Sequence, residues 1–278
     1  MSSTALKYTN KLQGSRILIL GASTGIGFCV AEAALEHGAH VIISSSNQKK
    51  LDNALARLQD HARAIGISPD VLSAKTCDLA NPDIMEESIL SLYEFATKNG
   101  KLDHVAFTAG DSLTIRALEE TTIQDIQKAS MVRFNSAIIL AKHLPKYINQ
   151  TVKSSFTLTG GSNSWRPNPQ WSVIAGIGGS VEAFARGAAV DLHPVRVNAV
   201  QPGAVHTELF DSIPKDRLDA VLKSMAGDSV TNTVGSPQDV AEAYIYVMKD
   251  AFTTGGVVES NGGRLVGQSQ AGFFWEEK

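Results

Sequence analysis

Three glycines near the N-terminus have the spacing of a turn that holds phosphate groups. Gly21, Gly25 and Gly27 follow an apolar run at residues 16–20 and precede a helix-like segment. Glycine lets the backbone turn sharply and approach a pyrophosphate without a Cβ in the way. The helix that follows directs unpaired N–H groups and partial positive charge toward the phosphates. Because the trio lies between a strand and a helix, it predicts a dinucleotide-binding site.

The rest of the chain alternates short apolar runs with amphipathic stretches, which is typical of a parallel sheet with helices on both faces. The strands are predicted at residues 16–20, 40–44, 71–76, 104–108, 155–159, 195–200 and 257–260. The helices are predicted at residues 26–37, 48–64, 81–98, 122–148, 172–192 and 238–249. The expected fold is α/β, a Rossmann-like doubly wound parallel sheet of about seven strands, with ligands at the carboxyl ends of the strands.

Composition favours a single domain over residues 1–278, with short tails at 1–13 and 267–278. Hydrophobic residues make up 43% of the chain, and the net charge is −3 with dispersed basic residues, which argues against a nucleic-acid partner. Cys29 and Cys77 lack metal-ligand spacing, so neither a metal site nor a disulfide framework is predicted. No apolar run of membrane length and no secretory segment is recognised, and the expected location is the cytoplasm.

Residues 208–234 separate the sixth predicted strand from the next core helix. The segment contains a short helical stretch at 215–225, and an insertion at this place would cover the cleft. Long loops in compact domains are usually functional, so a substrate lid is predicted. The alternative is a loop that only packs on the surface.

Four further motifs follow predicted strands in an order shared with a known family. They are Cys77-Asp78-Leu79, Thr108-Ala109-Gly110, the run from Arg196 to Gly203, and Thr207. With the glycine turn, these motifs make the chain resemble a short-chain dehydrogenase/reductase over residues 12–266. The resemblance implies an oxidoreductase that uses a nicotinamide dinucleotide.

The resemblance also implies which residues contact the cofactor. In that family the Asp after the third strand contacts adenine, the Thr-Ala-Gly turn lines the adenine ribose, and the Pro-Gly…Thr segment holds the nicotinamide carboxamide. The predicted cofactor-binding residues are Gly21, Ser23, Thr24, Gly25, Ile26, Gly27, Ser45, Ser46, Asn47, Asp78, Leu79, Ala109, Gly110, Arg133, Pro202, Gly203, Val205 and Thr207.

The end of the second strand predicts NADP(H) rather than NAD(H). A site selective for NAD has a carboxylate there that repels the 2′-phosphate, and this chain has Ser45. Ser45, Ser46 and Asn47 can donate hydrogen bonds to a phosphate. The usual Arg of the family is absent at Ser46, and an ordinary polar turn that begins the next helix is the alternative.

The family's catalytic Tyr-x-x-x-Lys is absent, since no tyrosine of the chain has a lysine four residues later. Alignment of residues 188–192 with the end of the family's catalytic helix places the Tyr position on Ile174 and the Lys position on Gly178. Ser162 or Gly161 occupies the Ser position. The Asn position falls on Arg133, with Asn135 as the alternative. Lys142 and Lys146 are expected on the solvated surface.

The missing dyad favours a reaction that needs no proton. A positioned acid contributes roughly 10²–10⁴ in rate, so a ketone reductase without its Tyr should be poor. An iminium carbon is already cationic, and hydride addition gives a neutral amine. A lysine ammonium would repel such a substrate. The sequence therefore favours C=N⁺ reduction.

The loop at residues 160–171 supports a resemblance to one branch of the family. Its Trp165 and Trp171 offer flat faces to an aromatic or cationic ligand, although either could instead fill an interface. Arg166 is interpreted as an anchor of the loop by an ion pair. The Arg-Pro-x-Pro-x-Trp-Ser run resembles fungal bifunctional reductase/Diels–Alderases of paraherquamide- and malbrancheamide-type indole alkaloid biosynthesis.

That branch implies NADPH-dependent reduction of a prenylated indole, cyclic dipeptide-derived iminium, followed by an intramolecular [4+2] cycloaddition. It implies Arg133, Asn168 and Trp171 as working residues, but the branch has Asp where this chain has Asn168. The alternatives are a carbonyl reductase with an unconventional donor, such as water or Ser162, and a non-catalytic NADP-binding regulator. The family further implies a homodimer or homotetramer, with the apolar residues 273–275 at a subunit contact.

Overall fold

The computed structural model describes residues 6–113, 115–208, 210 and 214–269, and it contains a seven-stranded parallel sheet in the order β3-β2-β1-β4-β5-β6-β7. The strands are β1 Arg16–Leu20, β2 His40–Ser45, β3 Leu72–Thr76, β4 His104–Phe107, β5 Ser155–Thr159, β6 Arg196–Pro202 and β7 Val257–Ser260. The predicted fold class is confirmed. The strand order reverses between β1 and β4, which is where doubly wound sheets bind their ligands.

Eight α-helices lie in the described part of the chain. They are α1 Gly25–Glu36, α2 Gln48–Ala64, α3 Met85–Ala96, α4 Ile123–Ser130, α5 Ser136–Tyr147, α6 Ser172–Asp191, α7 Lys215–Gly227 and α8 Pro237–Lys249. The helices cover both faces of the sheet because successive strand residues point to opposite sides. In β1, Leu18 and Leu20 pack with α3, α5 and α6, whereas Ile17 and Ile19 pack with α1, α2 and α8.

The helix predicted at 122–148 is interrupted. Between α4 and α5 the residues Met131–Asn135 form a turn of π-helix. Such a turn shifts the backbone hydrogen bonds by one residue and often occurs at functional sites. Here it contains Arg133, so the distortion changes the direction of a predicted site residue.

Helix α6 corrects the expectation that no apolar run reaches membrane length. Its 20 residues have a mean hydropathy of 1.3 in the most apolar window, enough for a membrane span by length and composition. The helix instead packs along β5 and β6, with Val181, Ala185 and Ala188 buried. Only 22% of that window is buried, so much of its apolar surface faces outward.

The predicted tails are partly anchored. Leu12 is buried in the core beside α1, and Ser269 donates hydrogen bonds to Gly227 O and Asn232 Oδ1. Residues 1–5 and 270–278 lie outside the described residues, and so does the predicted contact at 273–275.

A buried arginine at the start of β6 joins the sheet to the loop before β5 and to helix α8. Arg196, at the start of β6, is 3% exposed and donates to the carbonyls of residues 152, 153, 247, 248 and 253. No aliphatic side chain can replace these bonds. Arg196 therefore fixes the loop before β5 to the end of α8.

We expect Arg196→Met to lower the free energy of unfolding by at least about 3 kcal/mol, because each buried acceptor left unpaired costs about 1–3 kcal/mol. Urea unfolding followed by circular dichroism measures the change. The matched control is Arg217→Met on the exposed face of α7, which should stay within about 0.5 kcal/mol of the native value. Equal losses in the two variants would contradict this account of Arg196.

Candidate active site

A cleft of about 990 Å³ opens at the carboxyl ends of the strands. All predicted cofactor-binding residues line it, and so do the predicted working residues Arg133, Asn168 and Trp171. Phe210, Met225 and Asp228 line it from the segment predicted as a lid. The structure thus brings the sequence-predicted residues together in one cleft, while their individual roles stay predictions.

The glycine turn leaves no room for side chains. Gly21 has a φ of +85°, and a Cβ added there would lie 2.5 Å from the Ala109 nitrogen. A Cβ at Gly27 would lie 2.3 Å from Thr108 Oγ1. Helix α1 begins at Gly25, and its N-cap residue Thr24 makes no side-chain capping bond. Its first N–H groups therefore remain available to a phosphate, so these residues fit a dinucleotide.

The end of β2 carries hydroxyl groups where an NAD-selective site would carry a carboxylate. Ser45 Oγ donates to Ser23 Oγ at 3.0 Å, and Lys50 also lines the cleft. Asn47 Oδ1 accepts from the Lys50 N–H at 2.9 Å and so caps α2. Asn47 therefore caps the next helix, in agreement with the alternative interpretation, and the Ser45 hydroxyl would have to turn away from Ser23 to donate to a phosphate.

Asp78 supports the turn that follows β3. Its Oδ1 accepts the N–H of Ala80 at 2.8 Å and that of Asn81 at 3.4 Å. The side chain lines the cleft beside Leu79. The Asp78 carboxylate, which is predicted to contact adenine, is thus held in place by the backbone N–H groups of the turn that follows it.

Arg133 reaches the cleft from the π-helical turn, and the alternative Asn135 does not line it. The Arg133 guanidinium lies over Gly110, where an added Cβ would be 2.4 Å from Nη1. Its Nη2 donates to Asp111 O, and its Nε lies 3.5 Å from Asp111 Oδ1. Burial, opposed by Asp111, lowers the pKa of Arg133 from its ordinary value. The Arg133 guanidinium remains a cation, and its N–H groups can donate to ribose, phosphate or carbonyl oxygens.

The two residues on which the sequence alignment puts the family's Tyr and Lys line the cleft. Ile174 and Gly178 lie one turn apart on α6, and both line the cleft together with Gly161 and the buried Ser162. None of the five tyrosines lines it. Tyr244, for example, is buried in the core with its hydroxyl 2.5 Å from Thr159 Oγ1. The site therefore has no phenol to replace the missing one.

The two tryptophans of the loop have different surroundings. Trp171 lines the cleft. Trp165 is 69% exposed and does not line it, because its Nε1 donates to Glu182 Oε2 at 2.7 Å. The expectation that both present a face to the ligand is therefore wrong for Trp165.

Sequence reasoning did not find Glu182, a buried carboxylate on α6. It accepts from Ser164 Oγ at 2.6 Å and from Gln201 Nε2 at 2.8 Å, in addition to Trp165. These bonds hold the turn after β5 against β6. No motif marks it, because Glu182 lies on α6 and its partners come from two other segments, the turn after β5 and strand β6.

Sequence reasoning also did not find Arg264, which follows β7 and is 5% exposed. It lines the cleft, and its Nη2 donates to Asn168 Oδ1 at 3.1 Å while Nη1 lies 3.5 Å from Ser162 Oγ. Its Nη1 also donates to Arg166 O at 2.6 Å. A charged residue just beyond the carboxyl end of a strand was the available signal.

Arg166 anchors the loop, as predicted, but mainly through carbonyl groups. Its Nη1 donates to the carbonyl oxygens of Asp228 at 3.1 Å, Arg264 at 2.6 Å and Gly267 at 3.1 Å. The ion pair with Asp228 is longer, at 3.9 Å. Lys142 lies on the surface in an ion pair with Glu86 at 2.6 Å, in agreement with its predicted place.

A doubly wound parallel sheet with a glycine turn at its switch point defines a dinucleotide-dependent enzyme. The chain belongs to the short-chain dehydrogenase/reductase family, since an SDR-like Rossmann domain matches residues 8–266. The predicted family, the oxidoreductase class and NADP(H) as the cofactor are confirmed.

Two fungal relatives match almost the whole chain. The short-chain dehydrogenase/reductase malC of Malbranchea aurantiaca is 40% identical over 255 residues, which cover 92% of this chain and 96% of that protein. The short-chain dehydrogenase/reductase ucsE of an Acremonium species is 40% identical over 271 residues, covering 94% and 99%.

Solved structures agree with this assignment. The MalC reductase/Diels-Alderase from Malbranchea aurantiaca is 40% identical, has a TM-score of 0.88 and covers 93% of this chain and 99% of its own. A small-chain dehydrogenase in complex with NADPH is 26% identical, has a TM-score of 0.73 and covers 92% of this chain and 100% of its own.

We expect the native protein to bind NADPH at least tenfold more tightly than NADH, and Ser45→Asp to reverse this order. A carboxylate at 45 would repel the 2′-phosphate and accept bonds from ribose hydroxyls. Fluorescence titration with both cofactors measures the dissociation constants. Ser45→Asn is the control of equal size without charge. Equal affinities of the native protein for both cofactors would remove the basis of this assignment.

Proposed function

We propose that the protein is an NADPH-dependent reductase of an activated C=N⁺ bond in fungal secondary metabolism. The observation that carries the proposal is that Ile174 and Gly178 line the cleft, since the sequence alignment puts the family's proton-donating dyad on these two residues. NADPH, when bound, supplies a hydride. A cationic carbon accepts it without a proton, so the missing phenol and ammonium are no loss for this reaction.

The chain's own residues suit an electron-poor, flat ligand at this end of the cleft. Ile174, Ile177 and Trp171 form an apolar wall on and beside α6. Such a wall excludes water and strengthens electrostatic interactions inside. The Trp171 ring also has an electron-rich face for a cation. Arg133 is held by Asp111 and Gly110, which keeps its charge on the cofactor side.

The same cleft supports a proposal for a second activity. A relative that is 40% identical is a reductase/Diels-Alderase, and the predicted resemblance points to the same branch. We propose that this chain also holds its reduced product in a compact shape for an intramolecular [4+2] cycloaddition. Phe210 and Met225 of the predicted lid segment line the same cleft as Trp171 and supply apolar surface for such a role.

A second candidate is reduction of a carbonyl with Ser162 as the donor. Ser162 is buried at the cleft, and its Oγ lies 3.5 Å from Arg264 Nη1. A nearby guanidinium stabilises an anionic oxygen, which favours proton loss from the hydroxyl. The candidate is distinguished by its substrate, a neutral ketone.

We expect the double variant Ile174→Tyr with Gly178→Lys to slow reduction of a cyclic iminium at least tenfold and to speed that of a matched ketone. A unit charge about 4 Å from a cation costs about 4 kcal/mol at an effective dielectric of about 20, and about 1.4 kcal/mol is already tenfold. A Cβ at Gly178 would meet only Ser164 Cβ, at 3.4 Å, so the new side chain has space.

The measurement is single-turnover NADPH oxidation with N-methyl-3,4-dihydroisoquinolinium and with 1-tetralone. Ile174→Phe with Gly178→Met is the control, because it adds similar bulk without hydroxyl or charge. If the double variant accelerates the iminium reaction, or if the native protein prefers the ketone, reduction without a proton donor is wrong.

We also propose a symmetric dimer or tetramer that covers the outer face of α6. Val190, an apolar residue on that helix, is 73% exposed. Closed symmetric assemblies commonly bury such surfaces.

We expect Val190→Asp to lower the oligomeric mass in light scattering while leaving the circular dichroism spectrum unchanged, because a carboxylate in an apolar interface is costly. Ile65→Asp, at a 42% exposed position after α2, is the control and should leave the mass unchanged. A native monomer at micromolar concentration would contradict the assembly.

A further inference from the structure

The substrate end of the cleft contains an unbalanced positive charge. The Arg264 side chain is 7% exposed, and its nearest carboxylate is that of Asp228, 4.0 Å away and itself 40% exposed. Asp228 also lies 3.9 Å from Arg166 Nη2, so two guanidinium groups share one half-exposed carboxylate. A buried charge without a close partner is costly unless another group compensates it.

Arg264 also has donors to spare. A guanidinium has five N–H donors, and Arg264 makes three side-chain hydrogen bonds to the described residues, one of them at 3.5 Å. Burial lowers the pKa of the Arg264 guanidinium from its ordinary value, although the nearby Asp228 carboxylate opposes this shift. A bound oxygen atom would relieve this desolvation.

The neutral amide of Asn168 leaves the positive charge of Arg264 available to a ligand. Its Oδ1 lies 3.1 Å from Arg264 Nη2, where a carboxylate in its place would form a close ion pair. The amide fills the same volume and accepts one hydrogen bond, but it carries no charge. The Asn168 side chain therefore orients the guanidinium without neutralising it.

We propose that Ser162, Asn168 and Arg264 form a subsite, the oxygen corner, that binds a negatively polarised oxygen of the substrate, such as a carboxylate, enolate or amide carbonyl oxygen. Ile174, beside which the proposed function puts the carbon that receives the hydride, is not part of this subsite. The inference relies on the proposed function only for that position of the reacting carbon.

The oxygen corner changes which ligands the cleft selects. A substrate whose only polar group is cationic makes no favourable contact at the oxygen corner, so it binds more weakly than one that also carries an acceptor oxygen. A substrate that carries an acceptor oxygen at one end and the C=N⁺ carbon at the other satisfies both the corner and the Trp171 wall. Arg264 is thus a specificity-determining residue, and Asn168 positions it.

The test is isothermal titration of the NADP⁺-saturated protein with three probes of equal ring system: 1-naphthoate, neutral 1-naphthamide and 1-naphthylmethylammonium. The native protein is expected to bind the naphthoate at least tenfold more tightly than the ammonium. Asn168→Asp should lower naphthoate affinity at least tenfold and change naphthamide affinity less than threefold. The new carboxylate would neutralise the charge of Arg264 and still accept its hydrogen bond.

Arg264→Gln should abolish the preference, and Arg186→Gln, which removes an exposed charge from α6, should leave it unchanged. If Arg264→Gln does not fold, Asn168→Asp decides. The proposal is overturned if the native protein fails to bind naphthoate or binds the ammonium as tightly, or if Asn168→Asp leaves naphthoate affinity unchanged. These binding affinities do not depend on hydride transfer. Failure of the oxygen corner would therefore appear in the titration, and failure of iminium reduction would appear only in the single-turnover assay.

Discussion

The close approach of the glycine turn after β1 to the backbone after β4 determines the shape of the cofactor side of the cleft. The turn after β1 lies so close to the end of β4 that neither Gly21 nor Gly27 can carry a Cβ. This contact sets the start of α1 at the switch point and exposes its first N–H groups. It also fixes Gly110, over which Arg133 lies, so the cofactor side of the cleft follows from one steric constraint.

The opposite side of the cleft is determined by charge rather than by sterics. The chain has no Tyr-x-x-x-Lys, and Ile174 and Gly178, the residues on which the sequence alignment puts these two positions, line the cleft without an acid or an ammonium. A buried cation, Arg264, contacts the loop 160–171 by donating to Arg166 O and Asn168 Oδ1. If the reacting carbon lies beside Ile174, as proposed, recognition of the ligand and activation of its reacting bond depend on different residues.

Much of the fold could be predicted because its signals are local. Strands such as β1 and β4 are short, mainly apolar runs between glycine or polar residues, and helix α2 has its cap, Asn47, directly before it. The π turn at Met131–Asn135 has no such signal, because it depends on a shift of backbone hydrogen bonds. The role of Arg264 could not be predicted from the sequence for a different reason. Its partner Asn168 is 96 residues away, so only the folded chain shows the pair. The exposure of Trp165 likewise depends on Glu182, a helix residue that no motif marks.

The reciprocal bonds of Arg166 and Arg264 make three distant parts of the chain a single mechanical unit. Each arginine donates to the other's carbonyl group, and Arg166 also donates to the carbonyls of Asp228 and Gly267. The loop 160–171, the end of α7 and the segment after β7 therefore cannot be exchanged independently. A chimera that receives only the loop from a relative would lose the partners of both guanidinium groups. Diversification of this cleft must therefore proceed by coordinated change in all three segments, or by substitutions such as that at position 168 that alter charge and preserve the contacts.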